Sequence, residues 1–349
     1  MQIIDKTKKV LVTGGSGYLA SWIIKILLDE GMSVNTTVRD LKDKEKTAHL
    51  KLLDKNNQLT FFKADLLEDG SFKESMKGCD VVIHTASPFF ISGFKNPEQE
   101  LINPAKYGTR NVLNTAKETP DVKRVVLTSS VAAIYGDNSD IKKTPDGIFT
   151  ENEWNDTSSI NHLPYSYSKT VAEKEAWKIA GTQEEWDLVV INPGLIFGPS
   201  LTKRKDSYSI KTMIEFGKGV YRTGVPKIFL GIADVRDVAQ AHINAIFIPA
   251  AKGRHIIVSK TIMFMDIADI IRKKFKKKYP LPKIFVPKFM FWLIAPFLGF
   301  TRKYVTRNTG QPIGFDNSYS IDNLNLTYRP VEETIADHFQ QIIDDGLLN

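Results

Sequence analysis

The sequence predicts an α/β fold, in which a doubly wound parallel sheet is followed by a smaller C-terminal part. Two observations predict the sheet: short apolar segments alternate with segments of helical spacing, and a glycine-rich turn follows the first apolar segment. Such alternation is typical of parallel strands that helices cover on both faces. The pattern becomes irregular after Pro193. We therefore place one domain at residues 1–190 and a second part at residues 191–349, some elements of which return to the first domain.

The individual elements follow from the spacing of apolar residues. In the segment 18–30, Leu19, Ile23 and Leu27 fall on one face, which predicts a helix. Strands are expected at residues 9–13, 33–38, 59–62, 80–84, 124–128 and 188–191. Further helices are expected at 108–117 and 165–181, and later regular elements at 228–235, 237–248, 255–258 and, as a terminal helix, 331–344.

The charge balance favours an anionic ligand. The chain has 47 Lys and Arg against 40 Asp and Glu, a formal net charge of +7 over 349 residues. This mild excess suits a phosphorylated cofactor, and we expect neither nucleic acid nor a metal ion as a ligand. The single cysteine, Cys79, excludes an internal disulfide. Together with a polar N-terminus that shows no secretory signal, it predicts a cytoplasmic protein.

The glycine-rich turn has the sequence TGGSGYLA, residues 13–20, and lies between the first strand and the first helix. Gly14 permits the tight turn, and Gly17 lets the backbone approach a pyrophosphate at the helix N-terminus. In this context the turn predicts a dinucleotide-binding sheet of the Rossmann type. We expect Gly14, Gly17, Tyr18 and Leu19 to contact the cofactor.

The end of the second strand indicates which dinucleotide binds. NAD-binding sheets usually place an acid there to accept hydrogen bonds from the ribose, whereas this chain has Val38 and Arg39. An arginine can pair with a 2′-phosphate, and Lys46 can add a second positive charge. We therefore expect NADP(H). The alternatives are that both cations are ordinary surface residues, or that Asp40 reaches the ribose.

The segment YSYSK, residues 165–169, contains a Tyr-x-x-x-Lys spacing. On a helix this places Tyr165 and Lys169 on one face, one turn apart. We expect the ammonium group to lower the pKa of the phenol, which then delivers a proton to a carbonyl oxygen. Tyr167 is the weaker candidate because it is not four residues from Lys169.

Two hydroxyl groups follow the apolar strand 124–128. Carboxyl ends of parallel strands face the ligand crevice, so a serine there can hydrogen-bond the substrate oxygen beside Tyr165. Of Ser129 and Ser130 we favour Ser130 as the catalytic residue, and turn formation is the simpler role for Ser129.

These motifs together resemble the extended short-chain dehydrogenase/reductase family, and more closely its dihydroflavonol reductase-like group, which includes cinnamoyl-CoA reductases and microbial methylglyoxal and aldehyde reductases. The matching stretches are VTGGSGYLA, TVRD, CDVVIHTASPF, RVVLTSSVAAIYG, YSYSK and NPGLIFGP. The resemblance spans roughly residues 8–260, and the tail matches only loosely.

The resemblance implies roles for further residues. It implies that Lys169, beside Tyr165, hydrogen-bonds the nicotinamide ribose. It also implies that Asn111 helps a proton relay, although a purely structural role as a buried amide is an equal alternative. His84 is better explained as a structural residue than as a base. Implied cofactor contacts are Asp65 and Leu66 at the adenine, Thr85, Ala86 and Ser87 after the fourth strand, and Pro193, Leu195 and Ile196 beside the nicotinamide.

The function we expect is NADPH-dependent reduction of an aldehyde or ketone. The substrate is expected to be a small or medium, largely apolar carbonyl compound, with Phe89, Tyr135 and Tyr221 against it. Other bulky groups in the irregular region can cap the pocket, or can form the core of the C-terminal part: Tyr208, Met213 and Phe216. We expect a monomer or a homodimer.

Three other functions are compatible with parts of the sequence. A nucleotide-sugar epimerase or dehydratase would need diphosphate anchors, which Arg204, Lys205 and Arg222 can supply, but Arg39 argues against its usual NAD. A hydroxysteroid-type dehydrogenase would suit the apolar segment 285–300. A non-catalytic NADP(H) sensor is the third alternative. Such a protein does not require Tyr165 and Lys169, so the presence of both argues against it.

The apolar segment 285–300 contains Lys288 and two prolines and is shorter than a bilayer span. We expect no membrane span, and we expect this segment to pack on the substrate side of the fold. Contact with a membrane surface is the less favoured interpretation. The basic run at 272–278 is most simply a solvated helix end.

Overall fold

A computed structural model describes residues 5–87, 95–275 and 279–348. Its strands, in chain order, are β1 (Lys9–Thr13), β2 (Ser33–Val38), β3 (Leu59–Lys63), β4 (Val81–His84), β5 (Arg124–Thr128), β6 (Asp187–Pro193), β7 (Leu195–Phe197), β8 (Val225–Pro226), β9 (Phe229–Asp234), β10 (Gly253–Ile257), β11 (Lys260–Met263) and β12 (Phe285–Val286).

The α-helices are α1 (Tyr18–Asp29), α2 (Lys44–Leu53), α3 (Lys73–Met76), α4 (Asn103–Lys117), α5 (Pro164–Ala180), α6 (Tyr208–Lys218), α7 (Val235–Phe247), α8 (Phe264–Lys274), α9 (Lys288–Ile294), α10 (Arg302–Asn308), α11 (Ser318–Leu324) and α12 (Val331–Asp344). A π-helical turn, Glu98–Ile102, precedes α4, and short 3₁₀ helices lie at Val131–Ala133, Asn138–Lys143 and Ala295–Leu298.

Seven parallel strands form the main sheet, in the order β10-β6-β5-β4-β1-β2-β3. This confirms the predicted doubly wound fold. Side chains of each strand alternate between the two faces. Val10 and Val12 therefore pack with α1 and α7 on one face, while Leu11 packs with α4 and α5 on the other. Strand β10 comes from beyond residue 190, so elements of the second part complete the first sheet.

The C-terminal part is more regular than the sequence pattern indicated. Strands β11, β9 and β7 form a small sheet, and β12 pairs with β8. Helices α6, α8 and α12 pack around a core that includes Met213 and Phe216, both 0% exposed. The interpretation of these two residues as a pocket cap is therefore wrong, because the small domain uses them as its own core; Tyr208 is exposed.

Residues 284–304, which we call the apolar hairpin, do not pack as expected. Helix α9 and the following 3₁₀ turn bury Phe291 and Ala295 against Val305. Most of the other large apolar side chains of the segment face solvent. The expectation that the segment packs on the substrate side is wrong for this exposed set. None of the helices in the described ranges combines the length and the hydropathy needed to cross a bilayer.

Candidate active site

The phosphate turn is held by backbone contacts between β1 and β2. The amide of Gly14 donates to the Thr37 hydroxyl at 3.1 Å, and that of Gly15 donates to the Thr37 carbonyl at 3.0 Å. Gly14 has a φ of +70°, and a Cβ there would lie 3.1 Å from the Cα of Ala86. The turn therefore requires glycine at this position. It leads into α1, whose first amides have no acceptor within the helix and suit an anion.

The segment after β7 lies over this turn. The Tyr18 hydroxyl donates to the carbonyl of Gly198 at 2.5 Å, and Arg204 Nη1 donates to the carbonyl of Ser16 at 3.2 Å. Arg204 also pairs with Asp206 at 2.7 Å. We assigned Arg204 from the sequence only to a sugar-diphosphate site, but the structure places it at the phosphate turn. Leu19 is buried in the α1 face of the core.

Arg39 and Lys46 lie where the sequence placed them, at and after the end of β2. Both side chains are exposed. Lys46 pairs with Asp43 at 3.0 Å, whereas Arg39 has no ion-pair partner among the residues that the structure describes. The Asp40 carboxylate accepts from the amide of Lys42 at 2.8 Å, so it is engaged in its own turn. This arrangement fits a 2′-phosphate at Arg39.

The loop after β3 is organised by Asn111 of α4. The Asn111 side-chain amide donates to the carbonyls of Leu66 and Glu68 at 3.2 and 2.8 Å, and its oxygen accepts from the Gly70 amide at 3.1 Å. These contacts account for the whole amide group, which supports its structural interpretation rather than a proton relay. Asp65 turns its carboxylate to the amide of Leu67 at 2.9 Å.

The end of β4 is tied to β1. The amides of Thr85 and Ala86 donate to the Thr13 hydroxyl at 3.2 and 3.1 Å. His84 contacts the same hydroxyl at 2.9 Å, and burial lowers its pKa to about 3. A histidine that stays neutral in this way fits the structural role.

The three predicted catalytic residues meet at the carboxyl ends of β4 and β5. Tyr165 and Lys169 lie one turn apart on α5, and the Lys169 Nζ is 6.0 Å from the centre of the Tyr165 ring. The Tyr165 hydroxyl hydrogen-bonds with Ser130. Lys169 Nζ donates to the Ser87 hydroxyl at 3.2 Å. The Ser130 hydroxyl accepts from the Ala132 amide at 3.1 Å, which fixes its direction.

The electrostatics of this cluster differ from the prediction. Burial raises the pKa of Tyr165 above its usual value, and the hydrogen bond with Ser130 opposes the rise. Burial also lowers the pKa of Lys169 to about 8, although the Glu173 carboxylate opposes that shift. The expectation of a lowered pKa for Tyr165 is therefore wrong, because desolvation of the phenol dominates and raises this pKa.

A buried carboxylate, missed in the sequence, supports the cluster. Glu173 accepts from the Ser129 hydroxyl, from Asn192 Nδ2 at 2.7 Å and from Arg254 Nε at 2.5 Å. Asn192 Nδ2 also donates to the carbonyl of Ser130 at 3.1 Å. Ser129 thus has a structural partner, which supports the choice of Ser130. The signal in the sequence is the helical spacing: Glu173 follows Tyr165 and Lys169 at further intervals of four.

The expected nicotinamide side is formed where β6 passes into β7. Pro193 is buried at the end of β6, and its carbonyl lies 3.5 Å from the Ser130 hydroxyl. The half-buried Leu195 and Ile196 begin β7. The Gly194 amide between these strands donates to the carbonyl of Ile257 at 3.0 Å, so β10 holds the crossing.

The predicted substrate residues are separated in the structure. The Tyr135 ring stacks on Phe149 at 4.7 Å and meets Phe315 at 5.5 Å. Tyr221 packs against Phe216 at 4.9 Å, within the core of the C-terminal part, and its hydroxyl donates to Glu215. Phe89 lies outside the described residues.

A dinucleotide turn after the first strand, with serine, tyrosine and lysine gathered at the strand ends, defines an extended short-chain dehydrogenase/reductase. The comparison with known families agrees and makes the assignment narrower. The chain belongs to the 3-beta hydroxysteroid dehydrogenase/isomerase family, because the sequence model of that family matches residues 11–261.

Two relatives to which the chain is similar are named reductases. The chain is 35% identical over 343 residues to a cinnamoyl-CoA reductase of Medicago truncatula, with 97% of each chain covered. It is also 35% identical over 283 residues to the anthocyanidin reductase of Arabidopsis thaliana, covering 78% of this chain and 82% of the other.

Solved structures of reductases have the same fold as this chain. The yeast methylglyoxal/isovaleraldehyde reductase complexed with NADPH superposes with a TM-score of 0.79 at 26% identity, covering 98% of this chain and 100% of the other. Vestitone reductase from alfalfa has a TM-score of 0.71 at 25% identity, with 97% and 99% covered. The resemblance predicted from the motifs is confirmed, and the chain is an oxidoreductase.

Proposed function

We propose that this protein reduces the carbonyl group of a small or medium, largely apolar aldehyde or ketone, and that Tyr165 supplies the proton. The observation that carries the proposal is the half-buried Tyr165, whose hydroxyl hydrogen-bonds with Ser130 one helical turn from Lys169. A phenol with a raised pKa stays protonated at neutral pH. It is therefore ready to donate a proton, which is the role that reduction requires.

The cofactor is NADP(H), and this chain has residues suited to each part of it. The turn at Gly14 and Gly17 and the N-terminus of α1 would hold the pyrophosphate. The exposed Arg39 would hold the 2′-phosphate, and Lys169 would hydrogen-bond the nicotinamide ribose. When bound, the reduced nicotinamide supplies a hydride to the carbonyl carbon.

The protein's own residues handle the proton and the charge. Ser130 and Tyr165 donate hydrogen bonds to the substrate oxygen and thereby fix the carbonyl in one orientation. Tyr165 then transfers its proton as negative charge develops on that oxygen. The positive charge of Lys169 stabilises the phenolate that remains. Glu173 holds Asn192 and Arg254, and through Asn192 it positions the backbone of Ser130.

The substrate class is supported by the surroundings of Ser130. Val131, the residue after Ser130, belongs to the same apolar cluster as Tyr135, Phe149 and Phe315, whose three rings contact one another. Apolar walls with few polar anchors suit an apolar ligand. Arg204, one of the diphosphate anchors that a nucleotide-sugar enzyme would need, is engaged with Asp206 and Ser16. A monomer or homodimer in the cytoplasm stays our prediction for the state in the cell.

The test is a substrate screen. Oxidation of NADPH is followed by absorbance with aromatic, aliphatic and dicarbonyl compounds, and binding of UDP- and GDP-sugars is measured by calorimetry. We expect turnover with apolar aldehydes or ketones and no tight binding of sugar nucleotides. Sub-micromolar binding of a sugar nucleotide without any carbonyl turnover would overturn the proposal in favour of an epimerase-like enzyme.

A further inference from the structure

The apolar hairpin exposes an unusual number of large apolar side chains. Phe289 is 68% exposed, Leu293 is 54% exposed and Phe297 is 90% exposed. Phe289 and Leu293 lie on the same side of α9, because they are four residues apart. Others in the hairpin that are exposed are Ile284, Phe285, Met290, Ile294, Leu298 and Phe300. Exposed apolar side chains concentrated in one short segment mark an interaction site.

The stretch of sequence that contains the apolar hairpin is also strongly basic. The 46 residues from 270 to 315 contain eleven Lys and Arg and no Asp or Glu. Because the whole chain carries +7, this segment of +11 leaves a net charge of −4 for the remainder. The positive charge of the sequence is therefore concentrated in the stretch of chain that contains the apolar hairpin.

Several of these cations are available for a ligand. Arg272 pairs with Asp269 and Arg307 with Asp137. By contrast, Lys283, Arg302 and Lys303 are exposed and have no carboxylate partner in the ranges that the structure covers. Lys288 is exposed too, but its Nζ donates to the carbonyls of Thr306 and Thr309 at 2.8 and 3.1 Å.

A cation and an aromatic ring also lie side by side in the hairpin. The Arg302 guanidinium lies 4.3 Å from the ring centre of Trp292. Lys288, Phe289, Trp292 and Leu293 line an open groove of about 580 Å³. An apolar face bordered by cations and an amphipathic ring is the pattern of a segment that lies in a membrane interface.

We propose that the apolar hairpin docks on the surface of an anionic lipid bilayer, with its exposed apolar side chains in the interface and its cations at the lipid headgroups. Helix α9 has only seven residues, so it can lie in the interface but cannot span the membrane. Charge decides the occupant. A symmetric contact with a second copy would bring two such positive surfaces together, whereas an anionic bilayer complements them.

Helix α10 connects the apolar hairpin to the segment that follows β5. Asn308, at the end of α10, donates to Asp137 at 2.7 Å and accepts from the Asn138 amide at 2.8 Å. These two residues follow Ser130 closely beyond the carboxyl end of β5. The hairpin is thereby joined, through α10, to the segment of chain that follows Ser130.

The experiment is vesicle flotation with the full chain. Vesicles of phosphatidylcholine alone are compared with vesicles in which about a third of the lipid is phosphatidylserine. We expect binding to the anionic vesicles only, weakened by salt. Replacing Lys303 by Glu should weaken binding at least about fivefold, and the double variant Phe289→Ser/Phe297→Ser at least about tenfold. The matched control is Leu52→Ser, at an 81% exposed leucine of α2, which should bind as the wild type does.

Reductase activity and thermal melting are measured on every variant, so that a failure to fold is distinguished from a failure to bind lipid. Two results would overturn the proposal. One is equal flotation of the wild type and the double variant. The other is a wild type that does not float but dimerises, with the double variant monomeric in sedimentation, because the occupant would then be a second copy.

Discussion

Helix α5 and the apolar hairpin both place a cation near an aromatic ring, but in opposite surroundings. Lys169 lies 6.0 Å from the Tyr165 ring in a buried cluster, whereas Arg302 lies 4.3 Å from the Trp292 ring at the surface. In the first region, burial moves the pKa values of both partners, and the Glu173 network compensates part of the cost. In the second region, water solvates the charge. A cation beside an aromatic ring therefore supports proton transfer in one place and surface attraction in the other.

The largest effect is expected from the buried region. Tyr165→Phe removes the proton donor but keeps the ring, and general acid catalysis contributes roughly 10²–10⁴-fold. We expect kcat to fall by that factor while NADPH still binds. Steady-state kinetics and a cofactor titration measure the two quantities separately.

The matched control is Tyr167→Phe, two residues along the same helix. It should leave kcat within about twofold of the wild type. Near-normal turnover in the Tyr165 variant, with a loss in the Tyr167 variant, would transfer the role of proton donor to Tyr167.

An exposed cation gives the next effect. Arg39→Ala removes a charged hydrogen-bond donor worth about 1.5–3 kcal/mol, or roughly 10- to 150-fold. We expect this loss in kcat/KM with NADPH and little change with NADH, because only NADPH carries the 2′-phosphate. Lys44→Ala, an exposed lysine of α2, is the control. Equal use of NADH and NADPH by the wild type would contradict the assignment.

The pH profile tests the buried cation. Lys169 is charged below its pKa of about 8 and neutral above it. Since the mechanism needs the charged form, kcat/KM should fall as the pH rises through about 8, approaching tenfold per pH unit. Tyr165 does not limit this range, because its pKa is raised.

Lys169→Arg keeps a charge at all these pH values and should move the alkaline limb upward, even where the rate itself falls. An alkaline limb that stays in place in this variant would show that another group controls it.

The parts of the site that depend on local sequence were predictable. The phosphate turn depends on glycines within one loop, and the pair Tyr165 and Lys169 depends on the spacing of one helix. The Glu173 network was not predictable in full, because its partner Arg254 comes from β10, far along the chain. Nor was the raised pKa of Tyr165, since it depends on burial by several elements.

The C-terminal part shows the same limit more strongly. Phe216 and Phe289 are both phenylalanines of the C-terminal part, yet Phe216 is fully buried and Phe289 is 68% exposed. Neither periodicity nor charge distinguishes them, because the neighbouring elements that cover Phe216 come from distant segments. Substrate contacts therefore could not be separated from core residues by sequence alone.

The place of β10 in the main sheet also determines when this protein can fold. This strand pairs with β6 at the sheet edge, and α7, which precedes it, packs against α1. During synthesis, the ribosome must release the chain through Ile257 before the sheet is complete. The apolar face of α1 likewise stays uncovered until α7 has been released, and closing so long a loop is slow. The nascent chain thus exposes an aggregation-prone apolar surface during synthesis, although its cofactor motif emerges first.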